Sequence, residues 1–62
     1  MLYSIKGKIT EVFKKTIVIS ADSFELEVYV AKPDEFLINE YIHLYLYHVI
    51  KEDNEFLIGF RK

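Results

Sequence analysis

Cysteine is absent from the chain, so no disulfide can brace it and no thiolate can hold a metal. Glycine occurs only twice and proline once, and no Gly-rich phosphate loop is present. No nucleophile–base arrangement or H-x-E-type metal motif is found either. Catalysis, a cofactor and a metal centre are therefore not expected within this chain. Long apolar runs are missing as well. The most apolar stretch, Tyr41 to Ile50, is too short for a membrane helix and contains two histidines. The first six residues, Met1-Leu2-Tyr3-Ser4-Ile5-Lys6, lack the continuous apolar core of a secretory leader. No membrane association is expected, and a cytoplasmic location follows by default. Finally, there is no excess of positive charge: the net charge is −2 and the pI is near 5.6. A small nucleic-acid binder working alone is usually basic. The balance argues against a self-sufficient DNA-binding module and permits a part in a larger protein whose basic surface lies elsewhere.

What is present is a dense apolar pattern. Sixty-two residues allow one domain, residues 1–62, which buries only about 60% of the surface exposed when unfolded. The 52% hydrophobic and 16% aromatic content offsets this, because aromatic rings bury large areas per residue. Tyr3, Ile5, Gly7 and Ile9 alternate with Ser4, Lys6, Lys8 and Thr10, the period of a half-buried strand. Gly7 on the apolar side predicts a sharp bend or a close backbone approach. Phe13-Lys14-Lys15 makes a turn, and Thr16 to Ser20 is a β-branched second strand. Ala21-Asp22-Ser23 reverses the chain into the best-patterned strand, with Phe24, Leu26, Val28 and Val30 on one face and Glu25, Glu27 and Tyr29 on the other. Lys32 to Asn39 breaks the alternation. Pro33 suits a first helical turn, Asp34 and Glu35 suit a helix N-terminus, and Phe36 and Leu37 are expected to plug the core. Tyr41 to Ile50 is a long fourth strand. Ile42, Leu44, Leu46 and Ile50 lie on one face; Tyr41, His43, Tyr45, Tyr47 and Val49 lie on the other. In the fifth strand Phe56, Ile58 and Phe60 are expected inside. The expected fold class is all-β: a small five-stranded OB-fold Greek-key barrel with one short helical insertion between strands 3 and 4. An SH3-like barrel is the alternative.

Between strands four and five lies the polar run Lys51-Glu52-Asp53-Asn54, a chain reversal with two adjacent carboxylates at its tip. As a catalytic pair Glu52 and Asp53 are unconvincing, since no apolar pocket surrounds them to shift their ionisation. As a Mg²⁺ site they lack supporting acids. The wording of the whole stretch, V-I-K-E-D-N-E-F-L-I-G-F over residues 49–60, resembles the hairpin that ends the N-terminal domain of the RuvA family, the Holliday-junction-binding subunits of a bacterial branch-migration complex. Ile5-Lys6-Gly7 matches that family's apolar-basic-Gly triplet, and Leu26-Glu27-Val28 its aromatic-Glu-Val strand. Asp22, Ser23 and Glu25 replace a Gly-rich turn usual in the family, and the link before strand four is shorter.

The resemblance implies an OB-fold and implies that Glu52 and Asp53 form an acidic pin. In the family, pins from four subunits gather near a fourfold axis and face the junction crossover. Two unit charges 10 Å apart repel by only ~0.4 kcal/mol in water and ~1.7 kcal/mol at an effective dielectric of 20. Several pins facing several phosphates reach a few kcal/mol. The implied partners are four-way junction DNA, held weakly by this domain alone, and a RuvB-like ATPase reached through regions absent here. Self-association to a tetramer is implied for the full-length protein. The helix-hairpin-helix and C-terminal domains of the family are not in the chain.

Lys6, Lys8 and Lys51 are weaker candidates for phosphate contact; Lys14 and Lys15 read as solvated. His43 and His48 fall on opposite strand faces and cannot easily share an ion. The Tyr41-Tyr45-Tyr47 stripe could stack bases, but single-strand sites of OB domains generally cross strands two and three, where Glu25 and Glu27 stand. The tyrosines are therefore read as packing or subunit-contact groups. Two other classes remain open: a generic OB or SH3-like module binding single-stranded nucleic acid or a protein partner, and a purely structural assembly domain.

Overall fold

The computed structural model describes residues 2–62. Five strands run in order: β1 (Leu2–Val12), β2 (Thr16–Ala21), β3 (Phe24–Tyr29), β4 (Tyr41–Lys51) and β5 (Asn54–Arg61). They close into a barrel in the order β1-β2-β3-β5-β4, with β4 returning to β1. All neighbours are antiparallel except β3 and β5, which meet in parallel at Tyr29 and Ile58. The insertion between β3 and β4 is less than a helix: a single 3-10 turn over Pro33–Glu35, with Pro33 in its first positions. Among the described residues no helix is long and apolar enough to cross a membrane.

β1 serves two partners. Leu2–Lys8 pairs with β4, and Lys8–Val12 pairs with β2, with an irregularity in register between Ile9 and Glu11. The extra residue bends the strand around the barrel corner. Gly7 sits just before this bend. A Cβ there would collide with the Ser20 carbonyl oxygen and come within 2.9 Å of Ile19 Cγ1, which is the close approach its place in the strand predicts. The β2–β3 hairpin has a two-residue loop, Asp22-Ser23, between the paired Ala21 and Phe24. Asp22 adopts φ 52°, a left-handed conformation that Asp tolerates better than most residues. A turn without glycine is therefore workable here.

The core is built from Ile9, Ile17, Ile19, Val28, Val30, Phe36, Ile42, Leu44 and Leu46, with Ile5, Val12, Leu26 and Leu57 packed against it. Phe36 plugs one end of the barrel, as its position in the sequence suggests, but its neighbour Leu37 is 68% exposed. Tyr3 and Phe24, expected inside, lie largely in solvent near strand ends. Ile50 shares the inward parity of Leu46 yet is exposed, because β4 has by then run past the barrel.

The main correction concerns β5. Its inward residues are Leu57 and Gly59; Phe56, Ile58 and Phe60 face outward, and Phe60 is 53% exposed. The register decides this, since residues opposite each other on a ladder share a face. Gly59 pairs with the core residue Leu46, whereas Ile58 and Phe60 pair with the outward Tyr47 and Tyr45. Packing gives the reason. β5 crosses so close to β3 that a Cβ on residue 59 would stand 2.6 Å from Val28 Cγ1. Only glycine fits the inner position, and the larger side chains are left to the outside.

Candidate functional site

The β4–β5 hairpin reaches beyond the barrel. Among the described residues, β1 accompanies β4 as far as Tyr47, opposite Leu2. From His48 to Lys51, β4 pairs with β5, ending in the pair Lys51–Asn54. Glu52 and Asp53 form the two-residue tip between them. Both are exposed, and among the described residues neither has an ion pair or a side-chain hydrogen bond. Neither residue takes a positive φ, so the turn needs no glycine. The predicted carboxylate pair is thus brought together and presented at one extremity of a molecule 34 Å long.

Three contacts stiffen the hairpin. His48 Nε2 lies 3.3 Å from Glu55 Oε2 across the two strands. Lys51 Nζ sits 5.8 Å from the centre of the Phe56 ring, and Phe56 meets Tyr29 edge-on with ring centres 5.5 Å apart. Cation–π and edge-to-face contacts of this kind each add a fraction of a kcal/mol or more. Lys51 therefore flanks the tip, with its ammonium turned back over the Phe56 ring. Sequence reading did not find Glu55 as the partner of His48, because six intervening residues hide the pairing until the turn is placed.

The structure separates the three candidate lysines. Lys6 and Lys8 lie on the outer face of β1, opposite His43 and Tyr41 at the start of β4. Lys51 lies at the other end of β4, about 30 Å away by strand rise. His43 and His48 do fall on opposite faces, as their spacing of five requires. His43 has its proton affinity lowered, chiefly by partial desolvation and then by the nearby charges of Lys62 and Lys6. The carboxylates on the outer face of β3 are held by threonines: Thr16 Oγ1 donates to Glu27 at 2.8 Å and Thr10 Oγ1 to Glu25 at 3.2 Å. Among the described residues no group of three or more His, Asp or Glu side chains is arranged to hold a metal ion.

At the far end from the tip, Arg61 closes the barrel. Its guanidinium donates to the Glu35 carbonyl at 2.8 Å, stands 3.4 Å from a Glu40 carboxylate oxygen and lies over the Phe36 ring. The Leu37 backbone N–H and Arg61 together hold the Glu40 carboxyl below its usual range. No sequence signal announces this cluster, since Arg61 is more than twenty residues from Glu35, Phe36 and Glu40.

The family model for the RuvA N terminal domain matches residues 1–59. The chain belongs to the RuvA N-terminal domain family. It is 40% identical over 58 residues to a protein of Streptococcus uberis named Holliday junction branch migration complex subunit RuvA. Proteins of the same name from Streptococcus equi subsp. zooepidemicus and Streptococcus pyogenes serotype M49 are each 38% identical over 58 residues. Each match covers 90% of this chain and 29% of the relative, so the chain spans less than a third of the length of these curated relatives. In this RuvA N-terminal domain the tip residues Glu52-Asp53 fall within the matched region.

Proposed function

We propose that this domain is the OB-fold part of a Holliday-junction-binding subunit and that its Glu52-Asp53 tip is an acidic pin facing the crossover during branch migration. The observation that carries the reading is the tip itself: two carboxylates without a side-chain partner among the described residues, held clear of the barrel by a braced hairpin, in a chain of the RuvA N-terminal family. The circular order β1-β2-β3-β5-β4 supports the OB-fold over an SH3-like barrel. Residues 1–62 form one domain of the protein. Junction binding in the relatives' full length draws on further domains, and the ATP-driven translocation belongs to a RuvB-like partner. This domain is non-catalytic. Exposed apolar side chains on the hairpin side of the barrel, Leu2, Tyr29 and Tyr47 among them, support a role in assembling a tetramer. Lys6 and Lys8 serve as secondary phosphate contacts; Lys51 contributes charge near the pin.

The pin acts through charge. One pair of charges is nearly inert in water, but several pins clustered near a crossover bias strand geometry by a few kcal/mol. The test places Glu52→Gln/Asp53→Asn in a protein of the relatives' length. Junction binding should tighten, or branch-migration rate should change, while the melting temperature stays put. Binding and migration identical to the parent at every salt concentration would reduce the tip to a solvated turn.

A further inference from the structure

Ten acidic side chains are spread over the 62 residues, yet one broad face carries none of them. The outward positions of β1 through Lys8, of β4 from Tyr41 to Tyr47, and of β5 from Ile58 onward are free of acidic residues. At the end of this face remote from the hairpin tip, cations and aromatic rings interleave. Lys8 pairs across the ladder with Tyr41 and Lys6 with His43. Lys62 donates its backbone N–H to the His43 carbonyl at 3.1 Å and sets its Nζ 5.2 Å from the centre of the Tyr45 ring. Tyr41 is 76% exposed. Among the described residues none of the three lysines is in an ion pair. The acidic side chain next to Tyr41, Glu40, is already engaged by Arg61 and the Leu37 N–H. The lowered proton affinity of His43 comes chiefly from desolvation and only then from the charges of Lys62 and Lys6, which stand close by on a domain whose net charge is negative.

We propose that this face binds an unpaired stretch of nucleic acid, with its phosphates on Lys6, Lys8 and Lys62 and its bases stacked on Tyr41 and Tyr45. Single-strand binders combine cations that track the backbone with aromatic rings that take the bases, and such stacking tolerates any sequence. A duplex offers no free base faces to the rings. A protein partner fits less well, because lysine is depleted in the buried centre of protein interfaces, whereas the ammonium groups here are concentrated and, among the described residues, outside any ion pair. The sequence-level objection to single-strand binding, the acidic outer face of β3, does not apply, since this face lies across the barrel on β1, β4 and β5. The site stands apart from Glu52 and Asp53, about 30 Å along β4, and neither reading depends on the other.

The test uses the 62-residue chain and an oligothymidine strand. The five tyrosines and absent tryptophan make tyrosine emission the direct reporter of stacking. Quenching that saturates at about 50 mM salt and weakens steeply towards about 200 mM is expected, with weaker binding of a duplex of the same length. Tyr41→Ala should lower affinity about tenfold. Lys6→Gln/Lys8→Gln should reduce the salt slope by about 1.4, two phosphates at ~0.7 each for a single strand. Glu52→Gln/Asp53→Asn should leave the stacking contribution intact. All these positions are exposed, so unchanged melting curves will show that each variant is folded. Absence of binding at low salt, equal affinity for duplex, or indifference to Tyr41→Ala would each overturn the proposal. Sedimentation showing this face occupied by a second copy of the chain, with no oligonucleotide bound, would overturn it in favour of a protein contact.

Discussion

The Arg61 guanidinium lies 4.4 Å from the centre of the Phe36 ring, at the end of the barrel opposite the acidic tip. Phe36 is the plug of that end and is only 7% exposed. Arg61 covers it while reaching the Glu35 carbonyl and the Glu40 carboxylate. One side chain thus joins the last strand to the link between β3 and β4.

Arg61→Ala should destabilise the domain by about 1 kcal/mol, near the upper end for an exposed cation–π contact, or roughly 4–8 °C in melting temperature for a domain this small. Arg61→Lys should restore little, because an ammonium cannot reach a carbonyl and a carboxylate as a planar fork does. Thermal melts of the three proteins check this. The pH dependence carries a second signature. Glu40 has its folded-state pKa lowered from 4.5, so its contribution is present above that value and lost as pH falls through the folded pKa. His43, lowered from 6.5, has the same sign: folding favours the neutral ring, and stability declines as pH falls below 6.5. Melting temperature should therefore fall on acidification, first through His43 and then through Glu40. His43→Gln should flatten the first part and Arg61→Ala the second. Melting unchanged between neutral pH and about pH 3 would contradict both assignments.

The two glycines should fail differently. At Gly59 the obstacle is the Val28 methyl, 2.6 Å from an added Cβ. Gly59→Ala is expected to cost about 1–3 kcal/mol by overpacking, and Val28→Ala in the same chain should recover part of that. At Gly7 the obstacle is the backbone carbonyl of Ser20, which no side-chain trimming removes. Gly7→Ala should be the more damaging, and urea titrations of the three variants beside the parent would show whether the order is right.

Core and face residues of equal hydrophobicity should separate sharply. Leu44 is fully buried, and Leu44→Ala should cost about 2–5 kcal/mol, enough to unfold most of so small a domain. Leu26 is only partly buried against the core, so Leu26→Ala belongs at the low end of that range. Phe60→Ala should change stability by roughly 0.5 kcal/mol or less, as for exposed positions generally. A large loss at Phe60 would mean that β5 has been placed in the wrong register.

The 62-residue chain should hold a four-way junction no more tightly than about micromolar at physiological salt, the range of non-specific binding. Its charge is −2, its foremost hairpin is acidic, and Glu25 and Glu27 line β3. Titration of junction against plain duplex at two salt concentrations checks this; tight junction-selective binding would show that the phosphate-binding surface lies within the domain after all.

The sequence by itself determined the five strands, the break at Pro33, the close approach at Gly7 and the position of Glu52-Asp53 at a hairpin tip. Each rests on local chemistry: alternation with period two, a residue without an N–H, a residue without a Cβ, and a polar run between two apolar ones. It also carried the family, through the wording of residues 49–60. Only the tertiary structure decided which way β5 faces. Alternation names two faces without saying which is inside, and hydrophobicity pointed to Phe56, Ile58 and Phe60. The narrow space beside Val28 admits only a glycine, so the inner face went to Leu57 and Gly59. The same folding decision turned Phe60 and Ile58 outward beside Tyr45 and Tyr47 and completed a face without carboxylates. Lys6, Lys8 and Lys62 lie more than fifty residues apart at their extremes, and barrel closure between β1 and β4 is what sets them around the same tyrosines. Arg61, Glu40 and Phe36 met for the same reason: the contacts that close a barrel join distant parts of the chain, and no local pattern records them.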